Sequence, residues 1–309
     1  MRIYRGFRDK RINPKPRCIA IGVFDGVHRG HQKIIARAVK TAKRIHASSM
    51  AITFDPHPNQ ILKPQARHSV LMSVPYRLKL LEKLGVNEAL VIHFNERFSK
   101  ISHRFFLDEL LCRKLGMSAL SVGEDFRFGF HGLGNARYLS AGAKRLGFKL
   151  FLAKPLKVQR ETVSSTHLRR LIENGRLKKA GQMLGRPVSV YGTVAHGRGR
   201  GNLIGFPTAN LKLHHETLPP NGVYAAWGLW NRKRFKAVIH VGKRPTFNDR
   251  QKSIEAYFLN FHKNIYGAAI ELFFMERLRG TRKFGSLEAL TWAIHKDVQT
   301  TLKILVNCN

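Results

Sequence analysis

Acidic residues are scarce in this chain. Of 309 residues only 19 are Asp or Glu, against 55 Lys or Arg, a formal net charge of +36. Such a balance raises nucleic acid as a partner. The cations, however, are spread over the whole length, and no zinc finger, aromatic RNP signature or KH-type clamp accompanies them. Charge alone therefore implies non-specific association with RNA at low salt and no specific nucleic-acid site. Cysteine is equally sparse. Cys18, Cys112 and Cys308 are scattered and lack CxxC spacing, which argues against a disulfide framework or zinc and for a reducing cytoplasm. No run of about 18 apolar residues exists, so no membrane span is expected. The opening stretch, Met1 to Arg11, has no apolar core of a signal peptide. Internal repeats, low-complexity segments and a Gly-x-x-x-x-Gly-Lys-Ser/Thr P-loop are also missing.

Scarcity makes the remaining acids informative. Asp25, Asp55, Glu124, Asp125 and Glu255 each fall beside glycine, proline or a strand end. The length suits two domains of ordinary size, each with its own core. The stretch from Cys18 to His31 runs as a short apolar strand, a turn at Phe24-Asp25-Gly26, and then a helical pattern carried by Ile34, Ile35, Ala38, Val39 and Ala42. The start of that helix is an anion site by geometry, with unpaired N–H groups and the positive end of the dipole. His28 and His31 sit there, among Gly22, Gly26 and Gly30. A phosphate between two imidazoles is the functional reading, and a tight turn with two surface histidines is the bland one.

Further strands are predicted at Ser49–Phe54, Ala89–Phe94, Ala119–Val122 and Phe148–Leu152, separated by helices. One of these helices is capped by Ser102, with Phe105, Phe106, Leu110 and Leu111 as its expected buried face. Alternation of this kind means a doubly wound parallel sheet, whose ligands bind outside the carboxyl ends of the strands. Asp55-Pro-His-Pro58 and Gly123-Glu-Asp-Phe126 lie at such ends. His57, between two prolines, fits a rigid turn as well as a ligand. Ser164-Ser-Thr-His-Leu-Arg169 reads as a helix start bearing hydroxyls and a guanidinium. After Pro187 the period changes to strands at 188–194, 222–230, 235–241, 253–261 and 269–275, which predicts a small antiparallel barrel closed by a helix from Leu287. The domain boundary is expected near 185.

Gly22-Val-Phe-Asp-Gly-Val-His-Arg-Gly-His31 resembles the His-x-x-His signature of nucleotidyltransferases. With Thr53–Pro58, Gly123–Gly129 and Ser164–Arg169 it is similar to the adenylyltransferase module of bacterial bifunctional riboflavin kinase/FAD synthetases. Gly205-Phe-Pro-Thr-Ala-Asn210, Pro220–Tyr224, Arg244–Phe247 and Ile254-Glu255 resemble the kinase module of that family, in the expected order. The resemblance implies a Rossmann-like α/β nucleotidyltransferase domain over 1–185 and a riboflavin kinase barrel over 186–309. It implies ATP as co-substrate, Mg²⁺, and riboflavin, FMN and FAD as the other ligands. For adenylyl transfer it points to His28 and His31 as catalytic residues. Gly22, Phe24, Asp25, Gly26, Asp55, Asp125, Ser164, Thr166 and Arg169 would bind nucleotide or flavin. For the kinase it points to Glu255 and Asn210 as catalytic, Thr208 and Asn210 as metal ligands, and Gly197, Arg200, Gly205 and Arg244 around ATP. The chain departs from the family pattern at Asn202, at His240 in place of an asparagine, and at Asn260 and Asn264 in place of acids. Two rival readings stand beside this one: a nucleotidyltransferase with another acceptor, and a basic RNA-binding protein on an inactive scaffold.

Overall fold

A computed structural model describes residues 1–65, 69–196, 205–213, 217–243, 252–261 and 263–306. The chain forms two compact units, Met1–Val70 with Val74–Ser165, and Leu71–Ser73 with Thr166–Asn309.

The first unit is built on six strands: β1 (Arg2–Arg5), β2 (Arg17–Ile21), β3 (Ser48–Asp55), β4 (Glu88–His93), β5 (Met117–Gly123) and β6 (Lys149–Ala153). They form one sheet in the order β1-β4-β3-β2-β5-β6, and every neighbouring pair is parallel; a separate antiparallel pair, β7 (Lys157–Val158) and β8 (Glu161–Thr162), follows β6. The sequence predicts five of these strands. β1 adds a sixth at the edge, where Arg2, Ile3, Tyr4 and Arg5 give too short and too charged a run to read as a strand. Tyr4 alone is fully buried there. From β2 the sheet grows one way through β3 and β4 and the other way through β5 and β6, so the strand order reverses between β2 and β5. That reversal is where an open α/β sheet opens a ligand crevice.

The helices of this unit are α1 (Arg29–Arg44), α2 (Pro58–Leu62), α3 (Val74–Lys83), α4 (Glu96–Ser99), α5 (His103–Phe105) and α6 (Ala136–Leu146). α1 buries Ile34, Ile35, Ala38, Thr41 and Ala42 against the sheet, and its last turn ends on Lys43 and Arg44, the favourable sign for the dipole. α5 starts on the Ser102 cap, as expected, and then widens into a π-helix over Phe106–Lys114. The wider turn shifts the inward face to Phe106, Leu107 and Leu111. Phe105, expected inside, is therefore about half exposed.

In the second unit, α8 (Leu177–Leu184), following α7 (Ser165–Glu173), ends on the left-handed Gly185. Then come β9 (Ser189–Ala195), β10 (Thr208–Lys212), β11 (Gly222–Trp230), β12 (Lys233–Lys243), β13 (Lys252–Phe258) and β14 (Ala269–Arg279). They close into an antiparallel barrel in the order β10-β13-β12-β11-β14-β9. β10, not among the predicted strands, completes the ring by pairing with both β9 and β13. Tyr224, Ala226, Ile239, Val241, Ile254, Ala256 and Phe274 are buried in the core. α9 (Leu287–Val306) starts on the Ser286 cap, and its Val298 and Leu302 pack on the opposite strand face at Val223 and Val238. Arg279 on β14 donates to Asp297 on α9 from Nε at 3.0 Å and Nη2 at 2.7 Å, which ties helix to barrel.

Candidate active sites

In the first unit the chain leaves β2 through a strained turn. Phe24 and Val27 have φ of 53° and 40°, and Gly26 has φ of 88°. A β-branched residue in the left-handed region is a genuine outlier, and strain of this kind persists only where the surroundings hold it. Here Val27 N–H donates to Phe24 O at 3.1 Å, Gln32 Nε2 to Val27 O at 2.9 Å, and Thr53 Oγ1 to Val23 O at 2.8 Å. Ser165, at the start of α7, donates its hydroxyl to Asp25 O at 2.8 Å.

The turn delivers His28 to the N-cap of α1. Its extended backbone (φ −72°, ψ 170°) and Nδ1, which accepts the His31 N–H at 3.2 Å, make it a capping residue. The His28 and His31 rings stack with centroids 3.6 Å apart, and Phe24 meets His31 edge-on at 5.4 Å. Burial, then His28, then Arg77 push the His31 imidazole well below its ordinary range, so it is neutral at pH 7.

Two of the glycines lie against aromatic rings of the turn. A Cβ on Gly22 would lie 2.9 Å from the Phe24 ring, and one on Gly30 would lie 3.2 Å from the His28 ring. At these two positions the missing side chain makes room for the site's own rings. Phe24 is fully buried, so its side chain packs under the turn. Asp25 and Gly26 are buried as well, Asp55 and Asp125 are exposed, and the Asp125 carboxylate curls over Gly123. His57 resolves as a turn residue. It caps α2 through Nδ1, which accepts from Asn59 N–H at 3.1 Å, while its own N–H donates to Gln60 Oε1. The Asp55-Pro56 bond before it is cis. Ser164 lies next to the last residue of the first unit, Ser165, and Thr166 and Arg169 lie three residues apart on α7 in the second.

The sequence carries a helical pattern over Arg77, Leu78, Leu80, Leu81 and Leu84, and nothing in the spacing of that pattern singles out Arg77. In the structure it is 2% exposed. Its Nη1 donates to Thr53 Oγ1 at 2.9 Å and to Phe54 O at 3.1 Å, behind the histidine turn. A basic residue at a core position of an amphipathic helix is the signal that could have marked it.

In the barrel, register does what sequence spacing cannot. Asn210 on β10 is directly opposite Glu255 on β13, and Glu255 is directly opposite His240 on β12. Directly paired residues share a face, so the three form one row across three strands. Thr208 joins that face, two residues from Asn210 and opposite Tyr257. Ile254 and Ala256, which alternate with Glu255, are in the core. Glu255 is thus an outward-facing strand residue, and that outward face is the one that gathers the polar set. His240 folds over its own strand, with the ring 2.7 Å from where a Gly242 Cβ would stand. Burial lowers its pKa more than the nearby Glu255 raises it. A cavity beside Thr208 is lined by Pro207, Phe258, Phe261, Lys263 and Tyr266. Asn260 adopts φ of 51°, and Asn264 Oδ1 accepts from Tyr266 N–H at 3.1 Å. Both replacements are thus turn-forming residues in turns. Gly205 is exposed at the entry to β10. Gly197, Arg200, Asn202 and Arg244 lie outside the described residues. Among the described residues no cluster of three His, Cys, Asp or Glu could hold a metal, and no helix is long and apolar enough to cross a membrane.

A switch-point histidine pair on a parallel sheet, followed by a closed barrel with a hydroxyl–amide–carboxylate face, defines a two-module enzyme of nucleotide and phosphate transfer. Comparison with known proteins sharpens this. A model of FAD synthetase matches residues 10–167, and one of riboflavin kinase matches residues 184–305. A bifunctional riboflavin kinase/FMN adenylyltransferase of Haemophilus influenzae is 33% identical over 301 residues, covering 97% of this chain and 98% of that protein. One from Listeria monocytogenes is 36% identical over 287 residues, covering 92% and 90%. A crystal structure from Streptococcus pneumoniae, titled as a macrolide-efflux protein, superposes with a TM-score of 0.83 at 27% identity, covering 97% of this chain and 99% of that one. The chain belongs to the family of bifunctional riboflavin kinase/FMN adenylyltransferases. Neither rival reading is favoured by these matches.

Proposed function

We propose that the protein makes FAD from riboflavin in two steps, acting in the cytoplasm, with residues 186–309 as the kinase and 1–185 as the adenylyltransferase. What supports this is that one unit stacks His28 on His31 at its switch-point helix and the other sets Asn210 opposite Glu255.

In the kinase step the ribityl hydroxyl oxygen of riboflavin bonds to the γ-phosphorus of ATP. The bond from that phosphorus to the β-bridging oxygen breaks, ADP leaves, and the hydroxyl proton goes to Glu255. A neutral alcohol needs such a base. Thr208 and Asn210 offer a hydroxyl and an amide oxygen beside the Glu255 carboxylate. That hard-oxygen set fits Mg²⁺, and Thr208 and Asn210 would hold it. Bound there, the ion would neutralise phosphate charge. Gly197, Arg200, Gly205 and Arg244 are assigned to the ATP phosphates.

In the second step an FMN phosphate oxygen bonds to the α-phosphorus of a second ATP, the α–β bridging bond breaks, and pyrophosphate leaves. The attacking group is already an oxyanion, so no base is required. The task is to stabilise charge on the α-phosphate and the leaving group. His28 is suited to it. Its Nδ1 accepts the His31 N–H, so the neutral ring carries its proton on Nε2 and presents a donor without being charged. The open start of α1 adds dipole and N–H groups. Ser164, Thr166 and Arg169 are assigned to the β- and γ-phosphates. Gly22, Phe24, Asp25 and Gly26 shape the turn, and Asp55 and Asp125 bind the nucleotide or flavin side.

The test is chromatography of the products from riboflavin with excess ATP and Mg²⁺. FMN followed by FAD is expected. Absence of FMN, while supplied FMN still becomes FAD, would sink the bifunctional reading.

A further inference from the structure

Among the described residues of the first unit two arginines are fully enclosed, and they are treated differently. Arg17 is paired: its Nε donates to Glu88 at 2.7 Å, and the same carboxylate accepts from Tyr4 Oη at 2.9 Å and Lys15 Nζ at 2.8 Å. Arg77 has no such partner. Its hydrogen bonds go to a hydroxyl and a carbonyl, Thr53 Oγ1 and Phe54 O, its Nε is buried without a hydrogen bond, and among the described residues no carboxylate comes within ion-pair distance. A buried guanidinium that no carboxylate contacts carries a desolvation cost of several kcal/mol with little local return. A purely structural anchor would be served by a neutral donor or by a pair like Arg17–Glu88.

The position of Arg77 says what the charge is for. Thr53, which accepts from Arg77, donates in turn to Val23 O at 2.8 Å. Val23 opens the strained turn that carries Asp25 and His28. Arg77 is therefore joined by two hydrogen bonds in series to the turn that aims the histidines. Its field also reaches the site: it lowers the affinity of His31 for a proton, and Asp25 and Asp55 are its attractive neighbours.

We infer that Arg77 is a positioning residue for adenylyl transfer, which fixes the histidine turn through Thr53 and sets an unpaired positive charge behind the place where phosphate charge accumulates. The ligand chemistry it serves is polyphosphate: the triphosphate of ATP and the pyrophosphate it becomes. Fixed charge in a water-excluded site acts more strongly on a transition state than on a ground state when charge develops there. This inference rests on the proposal that the first unit forms FAD, and its test separates the two.

The experiment uses the full chain and the variants R77M, R77K and T53V. FAD formation from FMN and ATP is measured beside FMN formation from riboflavin and ATP. Wild-type protein that makes no FAD from FMN would refute the underlying assignment. With wild type active, R77M is expected to lose about 10²-fold in kcat for FAD with a smaller rise in KM for ATP, the size seen when one preorganised electrostatic group is removed. FMN formation should stay unchanged and so report an intact second unit. R77K keeps charge without the planar fork and should recover part of the loss. Equal defects in R77K and R77M would refute the role of charge. T53V keeps the arginine and removes the relay, so it covers the case in which R77M does not fold; an unchanged FAD rate in T53V would refute the relay. A third readout does not depend on turnover. The His31 ring titration, followed by NMR, should move to higher pH in R77M, because a positive neighbour has gone, and no movement would refute the electrostatic part.

Discussion

His28 has two jobs in one side chain, and a pair of substitutions separates them. Its Nδ1 caps α1 and its ring stacks on His31 at 3.6 Å. H28A removes both contacts. Loss of the cap costs about 1 kcal/mol and loss of the ring stack about 0.5–1.5 kcal/mol, roughly 2 kcal/mol together. For a unit of this size that is about 4–8 °C in melting temperature. H28A also removes the Nε2 donor, which is expected to lower kcat for FAD by about 10²–10³-fold. H28N keeps the cap, because asparagine is among the best capping residues, but cannot place a donor where Nε2 stood. It should therefore melt near wild type and still lose the FAD rate. FMN formation should be normal in both variants, since His28 lies outside the barrel. The assay is initial rates of FAD and FMN formation by chromatography, with thermal melting in parallel. An H28N protein that makes FAD at the wild-type rate would show that the imidazole only caps the helix. An H28A protein that melts like wild type would show that the cap carries no energy.

Three further outcomes follow from named contacts. E255Q should lose FMN formation by about 10²–10⁴-fold, the range for a general base, while FAD formation from supplied FMN continues; equal loss of both reactions would point to misfolding. N210A should raise the Mg²⁺ concentration needed for FMN formation, and EDTA should stop that reaction without unfolding the barrel, measured by circular dichroism with and without added metal. Glu88 is buried, and Arg17, Lys15 and Tyr4 hold its carboxyl down to about 2 from an ordinary 4.5. Its folded pKa is depressed, so its stabilisation is present above about pH 5 and is lost as pH falls toward 2, an amount of about 3 kcal/mol. Denaturant melts of E88Q should be less stable than wild type at pH 7 and should lose the difference toward pH 2; a constant difference across that range would refute the linkage.

The alternation of apolar runs with helical patterns makes the first module legible in the sequence, because burial on both faces of a parallel strand leaves a continuous apolar stretch, and the barrel shows as successive strand-like runs joined by turns. β1 escaped because an edge strand with one buried residue leaves no such stretch. Phe105 was misplaced because the spacing was read at 3.6 residues per turn, and the helix widens there. The histidines, the Ser164 segment and Glu255 were visible as residue types in unusual settings. What was not visible is register. Nothing in the sequence puts Asn210, Glu255 and His240 in one row, since strands that pair across a barrel are set by closure and not by spacing. Arg77 was hidden by the opposite cause: its helix pattern was so regular that a cation inside it passed for part of the pattern. The rings packed against Gly22 and Gly30 were hidden too, because sequence shows that a side chain is missing and not what fills the space.

The two architectures differ in whether their strands have open margins. The barrel closes on itself and leaves no unpaired strand. The parallel sheet ends on β1 and β6, whose outer backbone groups have no partner strand among the described residues of their unit, and such margins invite a second copy to add on. Arg2 and Arg5 on β1 and Lys149 on β6 are exposed, so each margin carries charge of the same sign. With a formal net charge of +36, two copies approaching margin to margin repel before their backbones meet. Charge of one sign at both margins therefore opposes margin-to-margin pairing, and that opposition weakens as salt shortens the reach of the repulsion.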